Sequence, residues 1–289
     1  RPAAIKLIRP ETLGAGDPAA AELAVTRFRR EAQAAANLRS PHTVELYDFG
    51  VTDDQTLYFV MELLDGLDLD TLVREHGRVP AARAVHILRQ VCASLEEAHV
   101  QGLVHRDIKP ANIHVGRLGL VYDFVKVLDF GLVKPIADRS LEETLATQAG
   151  LIVGTPGYMA PEMVLSDTVD GRADIYALGC VAYFLLTGRQ VFDGDTPMKV
   201  MAKHLQEPPI PPSQRAPNGV PPRLEQVVLA CLAKKPEDRP PSAAATNRDL
   251  AAAADVEPWT NEQAAEWWAA ARPSATGPQG STDRTMTSA

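Results

Sequence analysis

Residues that suit phosphate chemistry are concentrated near the middle of the chain. Asp107, Lys109 and Asn112 lie within one short stretch, and Asp129 follows in an Asp-Phe-Gly triplet. The transfer of a phosphoryl group needs metal ions across the phosphates, a positive group that holds them and a carboxylate near the attacking hydroxyl. The residue types in this stretch supply a candidate for each of these roles.

These residues need a scaffold, and the hydrophobic pattern predicts a small sheet followed by a helical region. Apolar runs predict strands at residues 3–8, 44–49 and 56–61, the last two forming a hairpin, and an Ala-rich stretch predicts a helix at 29–38. Later helices are predicted at 80–102, 175–186, 198–204, 224–233 and 242–253. The run at 175–186 is nearly unbroken in its apolar character, which is typical of a helix at the centre of a lobe.

The composition is that of an ordinary folded protein. The 289 residues are 45% hydrophobic and 23% charged, which is enough apolar material for one large domain or for two lobes that share a cleft. The formal net charge of −8 argues against a nucleic-acid partner held through many backbone phosphates, and leaves only a local basic patch open. We therefore expect no nucleic-acid partner.

The cysteines and apolar runs indicate the compartment. Cys92, Cys180 and Cys231 are odd in number, widely spaced and set in apolar helical patterns, so they are interpreted as buried thiols rather than redox or metal sites. Apolar runs fall short of the ~18 to 20 residues that cross a bilayer, and the start shows no secretory signal pattern. The sequence predicts a cytoplasmic chain without a membrane segment, and leaves open an anchor outside its limits.

Three motifs follow one another along the chain. They are the stretch 105–112, which begins His-Arg-Asp, the Asp-Phe-Gly triplet at 129–131 and an Ala-Pro-Glu triplet at 160–162. With Ala-Ile-Lys at 4–6, this ordered set resembles the motifs of eukaryotic-like, bacterial-type protein Ser/Thr kinase catalytic domains. A lone Asp-Phe-Gly would mean little, whereas the set in this order is specific. The resemblance runs from Lys6 to about Leu250.

The resemblance implies an α+β, two-lobed protein-kinase fold. The remainder of an antiparallel-sheet N-lobe is expected at residues 1–64 and a mainly helical C-lobe at 65–257. From Arg272 onward Pro, Ser, Thr and Gly dominate, and residues 258–289 are expected to form a largely disordered tail or linker.

The same resemblance assigns the catalytic residues and the cofactors, ATP and Mg²⁺. Asp107 corresponds to the catalytic base that accepts and orients the substrate hydroxyl. Asn112 and Asp129 correspond to the Mg²⁺ ligands, and Lys109 to the residue that stabilises charge on the transferred phosphoryl group.

Three residues of the predicted N-lobe are assigned to the nucleotide. Lys6 looks like the strand lysine that grips the α- and β-phosphates. Glu31 is similar to the helix glutamate that pairs with this lysine, and the alternative is a solvated charge on a helix. Ala4 is expected to pack on the adenine from above.

The adenine and ribose are expected to meet the segment that joins the lobes. Residues 60–66 resemble this hinge, with Met61 as the gatekeeper and main-chain groups of Glu62 and Leu64 facing the adenine edge. Asp68 occupies the position of a ribose-binding acid, or is a charge at a helix start. His114 replaces the usual apolar side chain beneath the adenine, either stacking on the base or as an unremarkable polar substitution.

The acceptor is expected to be a Ser or Thr hydroxyl. Tyrosine kinases generally lack a lysine two residues after the catalytic aspartate, whereas Lys109 follows Asp107 here. Residues 154–158 resemble the substrate loop of Ser/Thr-specific kinases. The expected partners are proteins with Ser or Thr acceptors, and the chain itself through autophosphorylation.

Arg106 implies control by phosphorylation. A guanidinium beside the catalytic base and aimed at the activation segment is well neutralised by a phosphate. Ser140, Thr144 and Thr147 are the hydroxyls in that segment, and Thr147 is the candidate phosphosite. The alternative is that all three are ordinary loop residues.

Three more residues receive structural roles from the resemblance. Asp174 corresponds to a buried aspartate that holds the catalytic-loop backbone, and Arg239 to the arginine that pairs with Glu162 of the Ala-Pro-Glu triplet. Ala35, one turn after Glu31, is smaller than is usual in the hydrophobic column through Leu46, His105 and Phe130, which implies looser coupling between that helix and the active state.

One family feature has no counterpart. The family places two strands and a Gly-rich phosphate loop ahead of the lysine strand, and the sequence starts too late to include them. The chain is therefore interpreted as a fragment of a longer product, expected to bind ATP weakly, or as a degraded kinase. The alternative from another functional class is a pseudokinase or nucleotide-binding scaffold.

Overall fold

Two small antiparallel sheets form the β part of the residues that the structure describes. The computed structural model describes residues 1–8, 18–53, 56–130, 156–165, 168–216, 219–253 and 258–271. The first sheet has the strand order β1-β3-β2, and the second has the order β4-β5-β6. The strands are β1 (Ala3–Ile8), β2 (Leu46–Val51), β3 (Leu57–Glu62), β4 (Gly66–Asp68), β5 (Ile113–Leu118) and β6 (Val121–Val127).

Helices make up most of the rest of the described chain. They are α1 (Pro18–Ala36), α2 (Leu69–His76), α3 (Ala81–Val100), α4 (Pro161–Leu165), α5 (Gly171–Thr187), α6 (Pro197–Gln206), α7 (Pro222–Cys231), α8 (Ala243–Ala252) and α9 (Asn261–Ala271). The helices predicted from periodicity correspond to α3 and α5 to α8. This arrangement confirms the predicted two-lobed α+β architecture.

The first sheet packs against α1 through one face of its central strand. Leu57, Phe59 and Met61 of β3 are buried while their neighbours are partly exposed, as expected of a strand with one face on a core. The ring of Phe28 on α1 lies 4.7 Å from that of Phe59. The hairpin of β2 and β3 confirms the prediction.

Helix α1 begins earlier than the sequence analysis predicted. It starts at Pro18, whereas periodicity indicated a helix only from residue 29. Proline suits the first turn of a helix because its missing N–H has no intrahelical acceptor there. The alanines that follow favour the helical state without a strong apolar stripe, which is why the periodic signal was weak.

Helix α5 is the centre of the helical lobe. Fourteen of its seventeen residues are buried, so it is surrounded by other elements rather than packed on one side. It ends at Gly188, whose φ of 71° is the left-handed conformation that glycine adopts readily after a helix. Cys92, Cys180 and Cys231 are all buried free thiols, and burial raises the pKa of Cys231 to about 12. These observations confirm the interpretation of the cysteines.

The C-terminal segment departs from the prediction. A largely disordered stretch was expected at 258–289, yet residues 258–271 are described and contain α9, with Ala264 and Trp268 buried. Two apolar residues one turn apart are too short a pattern for periodicity to detect. Residues 272–289 lie outside the described part, and the other domain boundaries stay predictions.

No helix in the described ranges is long and apolar enough to span a membrane.

A buried histidine below the substrate-loop region should make stability depend on pH. His204 on α6 is fully buried, with Nδ1 2.8 Å from the Tyr176 hydroxyl. Burial, helped by the charge of Lys234, lowers the pKa of His204 to about 4, against about 6.5 in an unfolded chain. Between these values the unfolded chain binds more protons, so the stabilisation is complete above about pH 6.5 and is lost as the pH falls towards 4.

This stabilisation can be measured by urea denaturation at pH 7.5 and pH 5. His204 alone should lower the free energy of unfolding by about 2 kcal/mol over that interval. The lowered pKa values of His42, His86 and His105 act in the same direction, so the comparison is with the His204→Gln variant. That variant should lose about 2 kcal/mol less than the parent. An identical pH dependence in both proteins would contradict the assignment.

Candidate active site

The carboxylate of Asp174 holds the backbone of the predicted catalytic loop. Asp174 lies in the first turn of α5 and is buried. Its Oδ2 accepts the N–H of His105 and its Oδ1 accepts the N–H of Arg106, both at 2.8 Å. Arg106 has a φ of 62°, a conformation that is uncommon for a side-chain-bearing residue and is held here by this grip. The structural role predicted for Asp174 is confirmed.

His105 ties the same loop to the end of β6. Its Nε2 lies 2.8 Å from the carbonyl oxygen of Leu128, and its Nδ1 accepts the N–H of Asp107. Burial lowers the pKa of His105, so the ring is neutral, with its proton on Nε2 and the lone pair of Nδ1 facing Asp107. The ring packs 4.6 Å from that of Phe130.

Three predicted catalytic side chains meet in this loop. The amide nitrogen of Asn112 donates to Oδ2 of Asp107 at 3.0 Å and to its carbonyl oxygen at 2.9 Å. The ammonium of Lys109 lies 3.0 Å from the same Oδ2. Asp107 and Lys109 are partly exposed, whereas Asn112 is buried, so the carboxylate faces the cleft with its orientation fixed from behind.

The open end of the hairpin formed by β5 and β6 brings Asn112 beside the Asp-Phe-Gly motif. Ile113 pairs with Val127 across the hairpin, and just beyond this pair the N–H of Leu128 donates to the carbonyl of Asn112 at 2.9 Å. Asp129 is the next residue. Residues far apart in sequence are therefore neighbours because of strand register.

Lys6 reaches this group from the other sheet. It lies on β1, paired in register with Phe59, and its Nζ is 2.6 Å from Oδ2 of Asp129. This ion pair spans from the first sheet to the end of β6. Glu31 lies half-buried on α1, and its pairing with Lys6 stays a prediction.

The predicted Mg²⁺ ligands have the donor chemistry that this ion requires. Mg²⁺ prefers oxygen ligands, often one or two carboxylates together with phosphate oxygens. Because the side-chain nitrogen of Asn112 is directed at Asp107, the side-chain oxygen Oδ1 of Asn112 points the other way. Asp129 supplies a carboxylate next to it along the hairpin end. The two side chains fit a magnesium site completed by nucleotide phosphates.

The residues predicted to surround the adenine lie around the end of β3. Ala4 and Met61 are directly opposite each other in the β1–β3 pair, and Met61 is buried. Glu62 ends β3, and Leu64 follows it, half-buried. The strands therefore place these four residues together, and their contacts with adenine stay predictions.

Asp68 and His114 share the neighbouring sheet. They are paired in register between β4 and β5, so their side chains are neighbours. Asp68 also caps α2, accepting from the backbone N–H of Thr71 at 2.9 Å and from its hydroxyl at 2.8 Å. The helix-start reading of Asp68 is thus confirmed, while its contact with ribose stays a prediction.

The sequence analysis missed a role for the side chain of Glu62. This carboxylate lies 2.5 Å from Nζ of Lys126 and accepts the N–H of Glu45 at 2.8 Å. Lys126 also donates to the carbonyl of Thr43. Lys126 lies on β6, three residues before Asp129, so this ion pair joins the hinge to the strand that carries the metal ligand. A lysine on a half-buried strand beside such a motif was the available signal.

A small cavity lies behind the site, next to Ala35. It is lined by Ala35, Thr43, Val44, Leu46, Met61, Asp129 and Phe130. Ala35 is buried, so its short side chain leaves this space unfilled. The predicted looser coupling between α1 and the active state stays a prediction.

Glu162 and Arg239 form the predicted buried pair. Two parallel bonds of 2.7 and 2.8 Å join the guanidinium to the carboxylate. The pair anchors α4, the short helix that begins with Pro161 of the Ala-Pro-Glu triplet. Ser140, Thr144, Thr147 and the start of the substrate loop lie outside the described residues.

A family model described as a protein kinase domain matches residues 1–250. The chain belongs to the protein kinase family. The serine/threonine-protein kinase PknB of Mycobacterium leprae is 42% identical over 253 residues, covering 86% of this chain and 38% of that protein. The serine/threonine-protein kinase pkn3 of Myxococcus xanthus is 41% identical, covering 80% of this chain and 42% of its own length.

Solved kinase structures share the fold. The kinase domain of PknI from Mycobacterium tuberculosis superposes with a TM-score of 0.65 at 27% identity, covering 87% of this chain and 85% of that one. A structure of Rad53 in complex with AMP-PNP gives a TM-score of 0.67 at 25% identity, covering 86% of this chain and 57% of that one. This protein kinase chain spans about 40% of the length of the curated relatives described above.

Proposed function

We propose that this chain transfers the γ-phosphoryl group of ATP to Ser or Thr hydroxyls of proteins. One observation carries the proposal: a main-chain bond connects two groups of side chains. The N–H of Leu128 donates to the carbonyl of Asn112. This bond brings the ion pair of Lys6 and Asp129 next to Asn112, which is itself bonded to Asp107. The candidates for the phosphate-holding cation, the two metal ligands and the base are therefore neighbours, which supports the proposal.

In the proposed reaction each group has a separate task. Lys6 holds the α- and β-phosphates by its charge, while Asp107 accepts a hydrogen bond from the acceptor hydroxyl and orients its oxygen. Asn112 and Asp129 would hold Mg²⁺, which would neutralise charge on the phosphates. Lys109 faces the transferred group and balances its negative charge.

The bond changes are those of an in-line displacement. The acceptor oxygen forms a bond to the γ-phosphorus, and the bond from that phosphorus to the β–γ bridging oxygen breaks, so that ADP leaves. The hydroxyl proton passes to the Asp107 carboxylate and then to solvent. No other co-reactant is required.

Arg106 supports control by phosphorylation of the activation segment. Its Nε is buried, and among the described residues it has no hydrogen-bond partner. A buried guanidinium nitrogen without an acceptor is unfavourable, and a phosphate oxygen would satisfy it. Thr147 remains the proposed phosphosite.

We also place the domain in the cytoplasm, a proposal supported by its buried free cysteines.

The test is transfer of labelled γ-phosphate from Mg-ATP to matched peptides with Ser, Thr or Tyr as the acceptor. The chain is compared with a version preceded by the Gly-rich segment of a related kinase domain. Label on Ser and Thr peptides, with higher activity in the extended version, is the expected result. Nucleotide binding without label on any acceptor, in both versions, would establish the pseudokinase alternative instead.

A further inference from the structure

A buried carboxylate outside the proposed active site is surrounded by tryptophans of the C-terminal segment. Asp123, near the start of β6, is completely buried. Arg83 on α3 donates to both of its oxygens, at 2.8 and 2.7 Å. Trp259 adds an indole N–H bond of 2.7 Å to Oδ2, and Trp268 one of 2.8 Å to Oδ1. Four donors therefore satisfy one buried charge, and two of them come from residues 258–271.

The partner guanidinium is covered by the same segment. Arg83 is buried, with its Cζ 3.7 Å from the ring centroid of Trp267 and 5.5 Å from that of Trp259. A guanidinium stacks favourably on an aromatic face, more so when water is excluded. The ion pair is thus enclosed between α3, β6 and the C-terminal segment.

The segment also binds the backbone at the start of β6. Asn261, the first residue of α9, accepts the N–H of Tyr122 at 2.8 Å and donates to the carbonyl of Leu120 at 3.1 Å. Asp123 has a φ of 52°, which is unfavourable for a residue with a side chain. Its four bonds and those of Asn261 hold the strand in this conformation.

The C-terminal segment contacts the sheet β4-β5-β6, which carries several residues of the proposed nucleotide site. Strand β6 runs on to Asp129, its neighbour β5 carries His114, and β4 carries Asp68. The ring of Trp267 also packs 4.9 Å from that of His76, in the last turn of α2, the helix that Asp68 begins. One end of the sheet β4-β5-β6 therefore lies at the proposed active site, and the other end contacts the C-terminal segment.

We infer that Arg83, Asp123, Trp259 and Trp268 are positioning residues for nucleotide binding, through the three-stranded sheet β4-β5-β6. This inference rests on the proposed function. The four residues touch neither the proposed base nor the proposed metal ligands in the described contacts, and Trp259 and Trp268 lie beyond residue 250, where the match to the family model ends. Their effect would be on ATP affinity rather than on the acceptor.

The experiment replaces Trp259 and Trp268 separately by Phe in the full chain, because Phe keeps a six-membered aromatic ring and removes the indole N–H. Dissociation constants for Mg-ATP are measured by calorimetry, together with the KM for ATP, the KM for the acceptor peptide and kcat, well below the unfolding temperature. Each variant should weaken Mg-ATP about five-fold or more, with the acceptor KM unchanged. Trp267→Phe is the matched control, since both indole bonds to Asp123 remain.

The outcomes separate positioning from a merely structural role. A lower unfolding temperature with unchanged dissociation constant and KM for ATP would overturn the inference. An equal loss of affinity in Trp267→Phe would overturn it as well, because the N–H bonds would then not be responsible. Calorimetry needs no phosphoryl transfer, so a parent chain that binds Mg-ATP without transferring phosphate would refute the proposed function alone.

Discussion

Replacement of Asp107 by Asn is expected to lower kcat by about 10²- to 10⁴-fold with little change in Mg-ATP affinity. Asn at this position keeps an oxygen that can accept from the amide of Asn112, so the loop geometry should persist. It has no negative charge to receive the hydroxyl proton or to pair with Lys109, 3.0 Å away. The rate is measured with labelled ATP and a Ser peptide at saturating substrate.

The control for this variant is Asp70→Asn. Asp70 is a half-exposed carboxylate on α2 that forms its ion pair, at 3.7 Å, with Arg74 on the same helix. It undergoes the same chemical change, and its kcat should stay within about two-fold of the parent because exposed ion pairs contribute little. An Asp107→Asn variant retaining more than about a tenth of the parent kcat would remove Asp107 from the role of base.

The Arg239→Met variant should destabilise the chain by about 3 to 5 kcal/mol. The guanidinium is fully buried and Glu162 nearly so, and the substitution leaves this carboxylate charged without its partner. Arg239 also donates to three backbone carbonyls, which lose their donor: Ala233, Arg172 and Lys234. The free energy of unfolding is obtained from urea denaturation monitored by circular dichroism.

An exposed pair of the same type serves as the comparison. The guanidinium of Arg172 bonds to Asp170, and the Arg172 side chain is 36% exposed. Arg172→Met should therefore lower the free energy of unfolding by less than about 1 kcal/mol. The backbone N–H at 172 still caps α5 on Asp170 in that variant. Adding Glu162→Gln to Arg239→Met should recover part of the loss, because no uncompensated charge is then buried. Equal costs for the exposed and the buried pair would be inconsistent with this account.

Much of the candidate site could be predicted because its residues occur in short, ordered motifs. Asp107, Asn112 and Asp129 were placed by motif order, and the structure brings them together with Lys6. Asp174 was also placed correctly, because the resemblance assigns a buried aspartate to the start of this apolar helix.

Other contacts could not be predicted because nothing local in the sequence encodes them. Asp123 meets Arg83 and Trp268 across 40 and 145 residues of chain, and no periodicity relates these positions. The pairing of Glu62 with Lys126 has the same character. The start of α1 was missed for another reason: alanines favour a helix without producing an apolar stripe.

The main-chain bond between Asn112 and Leu128 lies at the opposite end of the β5–β6 hairpin from its turn. The spacing of the proposed metal ligands is therefore independent of the length of that turn. Extra residues at Gly119 would lengthen the turn and leave that spacing as it is. A single residue inserted between Ile113 and Gly116 would instead move the side chains on one side of the insertion to the opposite face of β5. Variation in length at the turn therefore preserves the spacing of the proposed metal ligands.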